Sequence, residues 1–265
     1  FVAAAIQFLE VANEHLKDRV PLFGRERKLL AMPVVGTGAG GAAESAGAVL
    51  SELIPELQKY VHRDDRVLDI ALVCFEAAHF AAAQAEREND TWSELDERLI
   101  READELAKRA RKGRLALFLG AGISKPSGLP GWEGLLLNLA AQRFDLRSKK
   151  RKKTFSKLSL LDQATLISDG LANESAGGKE RNRLGEIIKK KFDKHRHYAL
   201  THALLASLPV REVVTTNYDQ LFEKAWKLSY PEGISILPLP DALMTEPPER
   251  WLFKMHGCIS EPKQI

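Results

Sequence analysis

"LFLGAGISKPSGLPGW", Leu117 to Trp132, decides how this 265-residue chain is read. A run of apolar residues drives into two glycines separated by an alanine, then a serine, then a Gly-Leu-Pro turn. The run reads as a strand, Arg114 to Gly120, with the glycines as the turn at its carboxyl end and a helix opening near Trp132. Gly120 and Gly122 lack a Cβ, so a phosphate can approach the backbone there, and Ser124 adds a hydroxyl beside it. In open parallel sheets ligands bind outside the carboxyl ends of the strands. The other strand ends are therefore the places to look for chemistry.

Two of them carry polar residues. "REVVTTN" (Arg211 to Asn217) reads as a strand that passes at once into the helix "YDQLFEKAWKL", placing Thr216, Asn217 and Asp219 around the turn. "RWLFKMHG" ends in Lys254, Met255, His256 and Gly257, which delivers an imidazole to the same edge. Taken singly these are a tight turn, a helix cap and a solvated histidine; their joint placement on one edge points to a site. Residues 143–208 read as mostly helical, with the basic run "RSKKRKK" and the soft stretch "ANESAGGKE". Leu204, Leu205, Leu208, Leu221, Phe222 and Trp226 are expected to face the core.

Towards the amino terminus the pattern changes. "FVAAAIQFLEVANEHL" spaces Phe1, Ile6, Leu9 and Leu16 along one helix face. "LLAMPVV" (Leu29 to Val35) and "VLDIALVCF" (Val67 to Phe75) are nearly continuous apolar runs, expected as strands buried on both faces, with a helix between them: a β-α-β unit. Gly36, Thr37, Gly38, Gly40 and Gly41 follow the first run and could cradle phosphates at the start of the helix near Glu44. Gly36-x-Gly38-x-x-Gly41 also fits a dinucleotide fingerprint by its letters, but no acidic residue ends a second strand about 20 residues on. A plain packing turn is the competing reading. A charged, alanine-rich helical stretch then leads to Gly113, and the expected division is residues 1–91, a connecting helix 92–113, and a second domain 114–265.

Composition narrows the class. The chain is 45% hydrophobic, with a formal charge of +3 and mean hydropathy of −0.23, as for a globular protein with no global bias towards nucleic acid. The basic runs have no aromatic ladder beside them, so they read as solvated faces. No apolar run reaches the roughly 20 residues of a membrane span, so no membrane partner is expected. With only Cys74 and Cys258, neither a disulfide framework nor a four-cysteine zinc site can form within the chain, and a cytoplasmic setting follows. His195 and His197 lack ligands at metal spacing, so no metal is expected. The chain lacks an initiator methionine and stops just past the histidine motif, so a longer parent protein is expected.

"GAGIS" followed by "GLP", then "TTNYDQLFEKA", then "KMHG", in this order and at these strand ends, resembles the sirtuin superfamily over roughly Arg114 to Gly257. The resemblance implies a Rossmann-like parallel-sheet domain that binds NAD and breaks its nicotinamide–ribose bond. By it, Gly120, Ala121, Gly122 and Ser124 would contact the NAD phosphates and ribose, and Thr216 would border them. Asn217 would position ribose hydroxyls or a water, Asp219 would line the nicotinamide side, and His256 would be the general base. Protein-deacylating sirtuins carry Gly-Ile-Pro-Asp-Phe-Arg and a zinc ribbon; "GLPGWEGL" and two cysteines do not match. The sequence looks instead like the divergent bacterial branch that hydrolyses NAD in antiphage defence, with the helical insert in the zinc module's place.

The first segment resembles the later half of a macro domain, which implies an ADP-ribose-like ligand on the glycine loop. The expected architecture is thus a small α/β macro-like domain followed by an α/β sirtuin-type domain with a helical insert. The expected activity is NAD hydrolysis, by a homo-oligomer or in a complex with a defence partner. A protein deacylase and a catalytically silent nucleotide sensor or scaffold are the alternatives.

Overall fold

Ala5, Leu9 and Asn13, four residues apart, form the inward stripe of a helix that runs from Val2 to Leu16 (α1). The computed structural model describes residues 1–22, 24–38, 40–41, 45–87, 95–142, 144, 148–172, 183–231, 233–238 and 249–262. The chain divides into two compact units, Phe1–Glu102 and Ala103–Ile265. The expected boundary near Thr91 lies outside the described residues, as do Glu44 and most of "ANESAGGKE".

In the first unit, strands β1 (Lys28–Pro33) and β2 (Leu68–Val73) pair in parallel, with helix α2 (Ala46–Val61) between them in sequence and α3 (Ala77–Ala85) after β2. Leu9, Met32, Leu53, Leu57 and Tyr60 make the core under the sheet. The end of α1 is fastened to the chain entering β2: Asn13 Oδ1 accepts from the Val67 amide at 3.0 Å. Tyr60 donates its hydroxyl to the Leu9 carbonyl at 2.7 Å. The Arg66 guanidinium lies 4.4 Å above the Tyr60 ring and donates to Glu10 at 2.6 Å.

The strands were expected to be buried on both faces, and β1 is not. Leu30 and Met32 face the helices, whereas Leu29, Ala31 and Pro33 are exposed. The two-residue alternation is real but invisible in the letters, because both faces carry apolar types.

The second unit holds a four-stranded, wholly parallel sheet of order β3-β4-β6-β5: Ala116–Leu119, Glu212–Thr215, Arg250–Lys254 and Ile234–Leu237. Helix α4 (Glu97–Arg111) spans the division between the units and leads into β3. A 3-10 turn, Ala121–Ser127, follows β3, and then come α5 (Trp132–Ala141), α6 (Lys149–Ser156), α7 (Leu160–Ala172), α8 (Arg183–Phe192) and α9 (Leu200–Ala206). Helix α10 (Leu221–Ser229) follows β4.

Val213, Leu252, Phe222, Trp226 and Ala206 form one core between the sheet and α9 and α10. Leu135, Leu136, Phe155, Ile167, Ile188, Phe192 and Ile259 form another. The insert helices α6 to α8 thus share a core with α5 and with the segment after β6. Leu205, Leu208, Leu221, Phe222 and Trp226 pack inward as expected; Leu204 is 56% exposed.

The glycine loop after β1 has a folding explanation at two positions. Gly36 sits at φ +87°, and a Cβ there would lie 2.6 Å from the Phe1 ring; a Cβ on Gly40 would come 2.8 Å from the Gly36 Cα. Gly36→Ala should cost about 1–2 kcal/mol from the left-handed backbone alone. Urea unfolding of the variant measures this, and an unchanged midpoint would contradict the turn described.

Candidate functional site

The sheet register lines up the places where the chemistry emerges. Leu119 pairs with Thr215 and Thr215 with Lys254, so β3, β4 and β6 end in one row. One step further, Gly120 to Ser124, Thr216 to Asp219 and His256 leave the same edge. They surround a cavity of about 180 Å³ that Ala121, Ser124, Thr216, Asn217, Asp219 and His256 all line. Gly120 and Gly122 frame the turn beside it.

Lys254 fixes the turn after β4. Its side chain is 2% exposed, and its ammonium donates to the Asp219 carbonyl at 2.6 Å, the Tyr218 carbonyl at 3.5 Å and Glu223 Oε1 at 2.5 Å. Three donors meet three acceptors, two of them main-chain oxygens of the turn itself. Burial pushes the Glu223 carboxyl up, and the Lys254 ammonium opposes it. The Ile259 amide also donates to the Tyr218 carbonyl, at 3.0 Å, tying the segment beyond His256 to the same turn.

Ser124 is the hub above it. Its hydroxyl donates to Asp219 Oδ2 at 2.9 Å and accepts from Asn217 Nδ2 at 3.3 Å. It also meets His202 Nε2 at 3.2 Å. His202, fully buried on α9, takes the Ala199 amide on Nδ1 at 3.1 Å, so its proton sits on Nε2 and points at Ser124. That polarity rules out a serine nucleophile with His202 as its base, since Nε2 has no lone pair to offer. Burial holds the His202 pKa below the ordinary value, with the Asp219 charge opposing. Asp219 Oδ1 accepts the Leu221 amide, the first of α10, at 3.0 Å.

The same accounting orients Asn217. Its amide nitrogen donates to the Gly120 carbonyl at 3.2 Å and to Ser124, which commits both hydrogens inward. Among the described residues Oδ1 accepts from no group, so Asn217 offers the cavity an acceptor.

The rest of the wall is apolar, aliphatic at Leu129, Pro130 and Leu135 and aromatic at Trp132, Phe192 and Tyr218. Trp132 and Tyr218 have ring centroids 5.5 Å apart, and Tyr218 and His256 6.4 Å. Phe192, from α8 of the insert, lines this cavity and also a second of about 300 Å³ on the far side of Asp219. His256 itself is exposed, at the rim.

Gly120 is extended, at φ −115° and ψ −179°, and neither it nor Gly122 has a positive φ. A Cβ on either would meet no protein atom within 4 Å. Neither backbone strain nor packing asks for glycine at these two positions. Gly36, Thr37, Gly38, Gly40 and Gly41 belong to the first unit, where Thr37 donates to the Val34 carbonyl at 2.9 Å. Among the described residues no group of three or more His, Cys, Asp or Glu could hold a metal, and no helix is long and apolar enough to cross a membrane.

Sequence reading missed His202 and Phe192. A lone imidazole on the buried side of the Leu-Ala helix "LTHALLA" is the signal that could have found the first; nothing local marks the second.

With the geometry in place, the comparisons bear on it. Residues 211–265 match the SIR2-like domain. The chain is 33% identical over 151 residues to the NAD(+) hydrolase ThsA of Enterococcus faecium, covering 57% of this chain and 29% of that protein. It is 30% identical over 161 residues to the protein of the same name from Cytobacillus dafuensis, covering 60% and 30%. To the defense-associated sirtuin 2 of Bacillus subtilis it is 24% identical over 164 residues, covering 62% and 15%. The chain thus spans less than a third of the length of each of these relatives. The mixed α/β fold with parallel sheets agrees with a Rossmann-like SIR2-type domain.

Lys254→Met should destabilise by about 3–5 kcal/mol, because Glu223 stays buried without its cation. Adding Glu223→Leu should recover most of that in urea unfolding; a single variant as stable as the parent would contradict the clamp.

For His202 the unfolded chain, with a pKa of about 6.5, binds a proton that the folded chain refuses. Stability should therefore fall as pH drops through that value and level off below the folded pKa. His202→Gln should flatten this slope, and an unaltered slope would remove His202 as its source.

Proposed function

We propose that the cavity of the second unit binds NAD and hydrolyses its nicotinamide–ribose bond, releasing nicotinamide and ADP-ribose from the cytoplasmic pool during defence against phage. One observation carries this reading: Gly120 and Gly122 open to empty space, without structural need, beside Asn217, Asp219 and His256. The names of the relatives, NAD(+) hydrolase and defense-associated sirtuin, support the substrate and the setting.

In this reading the backbone from Gly120 to Gly122 takes the phosphates, and Thr216 borders the ribose. A cavity of about 180 Å³ is below the roughly 300–1,000 Å³ of sites for drug-sized ligands, so it takes the nicotinamide end while the rest of the dinucleotide lies along the open edge. Trp132 and Tyr218 exclude water around the ring. The C1′–N bond breaks with its electron pair staying on the nicotinamide nitrogen, which discharges the pyridinium. Positive charge then sits on the ribosyl centre, where the buried Asp219 carboxylate favours it. A water held by Asn217 Oδ1 adds its lone pair to C1′ and passes its proton to His256. Ser124, with its single proton committed to Asp219, positions Asn217 and Asp219 rather than touching phosphate.

The first unit enters as a regulatory partner. Gly38, where an added Cβ meets nothing and φ is not positive, is the position left for an ADP-ribose-like nucleotide; Gly41 sits at φ +80°, and Gly36 and Gly40 are taken up by packing.

The test is NAD consumption, with nicotinamide and ADP-ribose resolved by chromatography. Asn217→Ala and His256→Ala should each lower turnover by about a hundredfold or more, His256→Ala at an unchanged unfolding temperature and Asn217→Ala at one a few degrees lower, because the Gly120 carbonyl and Ser124 lose a donor. Gly122→Ala should fold as the parent does and lose NAD binding. Full turnover in the first two variants would sink the assignment. NAD binding without turnover would indicate a silent sensor, and consumption of an acyl-lysine peptide a deacylase.

A further inference from the structure

The second cavity, of about 300 Å³, shares Phe192 and Asp219 with the first and lies wholly within the second unit. Its wall comes from the end of α8 and the chain just after it, from the start of α10, and from Ile259. The carboxylates on this wall already have partners. Asp219 accepts from Ser124 and from the Leu221 amide, and Asp193 pairs with Lys189 at 3.0 Å. The donors are left over. Arg196 uses only its Nε, at 3.4 Å from the Asp193 carbonyl, and Lys224 makes one long contact, 3.4 Å to the Arg196 carbonyl. Among the described residues neither cation meets a carboxylate, and the Gln220 side chain makes no hydrogen bond. Both terminal nitrogens of the guanidinium, the remainder of the ammonium and the Gln220 amide are free to donate.

We propose that this cavity binds the terminal phosphate of a small phosphorylated metabolite. A phosphate dianion spreads its charge over three oxygens, which suits a planar guanidinium fork beside a compact ammonium. A carboxylate would be filled by the Arg196 fork alone and leave Lys224 idle. The first turn of α10, which supplies Gln220 and Leu221 to the wall, adds the positive end of its dipole. His195 donates from Nδ1 to the Ser127 carbonyl at 2.9 Å, so Nε2 is the nitrogen left to take the proton of a phosphate monoanion. Phe192, Leu221 and Ile259 supply an apolar stretch on which an organic body can lie. The volume stands at the lower end of the roughly 300–1,000 Å³ of small-molecule sites, so the body is the size of a sugar and not of a dinucleotide.

The two cavities ask for different phosphates. NAD has a pyrophosphate bridge and no terminal phosphate, so the proposal stands whether or not the first cavity hydrolyses NAD. A phosphate held between Arg196 and Lys224 would tie the end of the insert to the first turn of α10, next to the turn that carries Asn217 and Asp219.

Isothermal titration calorimetry of the 265-residue chain with ribose 5-phosphate and with inorganic phosphate, in chloride buffer at fixed ionic strength, tests it. The ester should bind one to one with a dissociation constant on the order of 100 μM. Arg196→Gln and Lys224→Gln should each weaken it about tenfold or more at an unchanged unfolding temperature, because both side chains are exposed. Gly122→Ala, the variant expected to lose NAD, should bind the ester as the parent does. Absence of binding overturns the proposal. So does binding that survives both charge-removing substitutions or disappears in Gly122→Ala, since the phosphate would then sit in the first cavity. Inorganic phosphate bound as tightly as the ester would contradict the metabolite and leave a site for free phosphate.

Discussion

The buried ammonium of Lys254 is the contact on which the rest of the sheet edge depends. A parallel sheet aligns the ends of β3, β4 and β6, but alignment of strands does not fix the loops that leave them. Lys254 does so by spending two of its three donors on the carbonyls of Tyr218 and Asp219 and the third on Glu223. Its charge would be costly to bury with any partner missing. The turn is thereby held from beneath by the strand that also delivers His256, two residues further on. Two of the three polar strand ends are thus linked by one side chain.

The Ser124 hydroxyl links the third. It has one proton and two lone pairs, and the structure uses all three: proton to Asp219, lone pairs to Asn217 and His202. A network with every valence filled has a single direction, and among the described residues it leaves Asn217 Oδ1 as an acceptor beside the cavity. His202 sets it from outside the cavity, because the Ala199 amide dictates its tautomer. The site therefore carries its chemistry on side chains whose orientation is decided one hydrogen bond away.

Much of this edge was legible in the sequence, because each strand there ends by interrupting an apolar run with residues that a core would not choose. Gly120, Asn217, Asp219 and His256 stand out for that reason. His202 and Phe192 did not, since both come from the helical stretch 143–208, where neither the period nor the neighbours say which helix turns back to the sheet. The hidden alternation in β1 failed to register for a related reason. Leu29, Ala31 and Pro33 are as apolar as the residues facing the core, and a letter pattern cannot report a face it does not distinguish.

The two glycine loops show where such reading must give way to coordinates. "GTGAGG" after β1 and "GAG" after β3 look alike, and both suggest a phosphate cradle. At Gly36 a positive φ and the Phe1 ring demand the missing side chain, and at Gly40 the backbone of Gly36 does. At Gly120 and Gly122 nothing in the protein demands it. A glycine that the fold requires says nothing about ligands, whereas one that the fold does not require leaves room for a contact from outside. By that criterion the loop of the second unit leaves its backbone open beside the cavity that Asn217 lines.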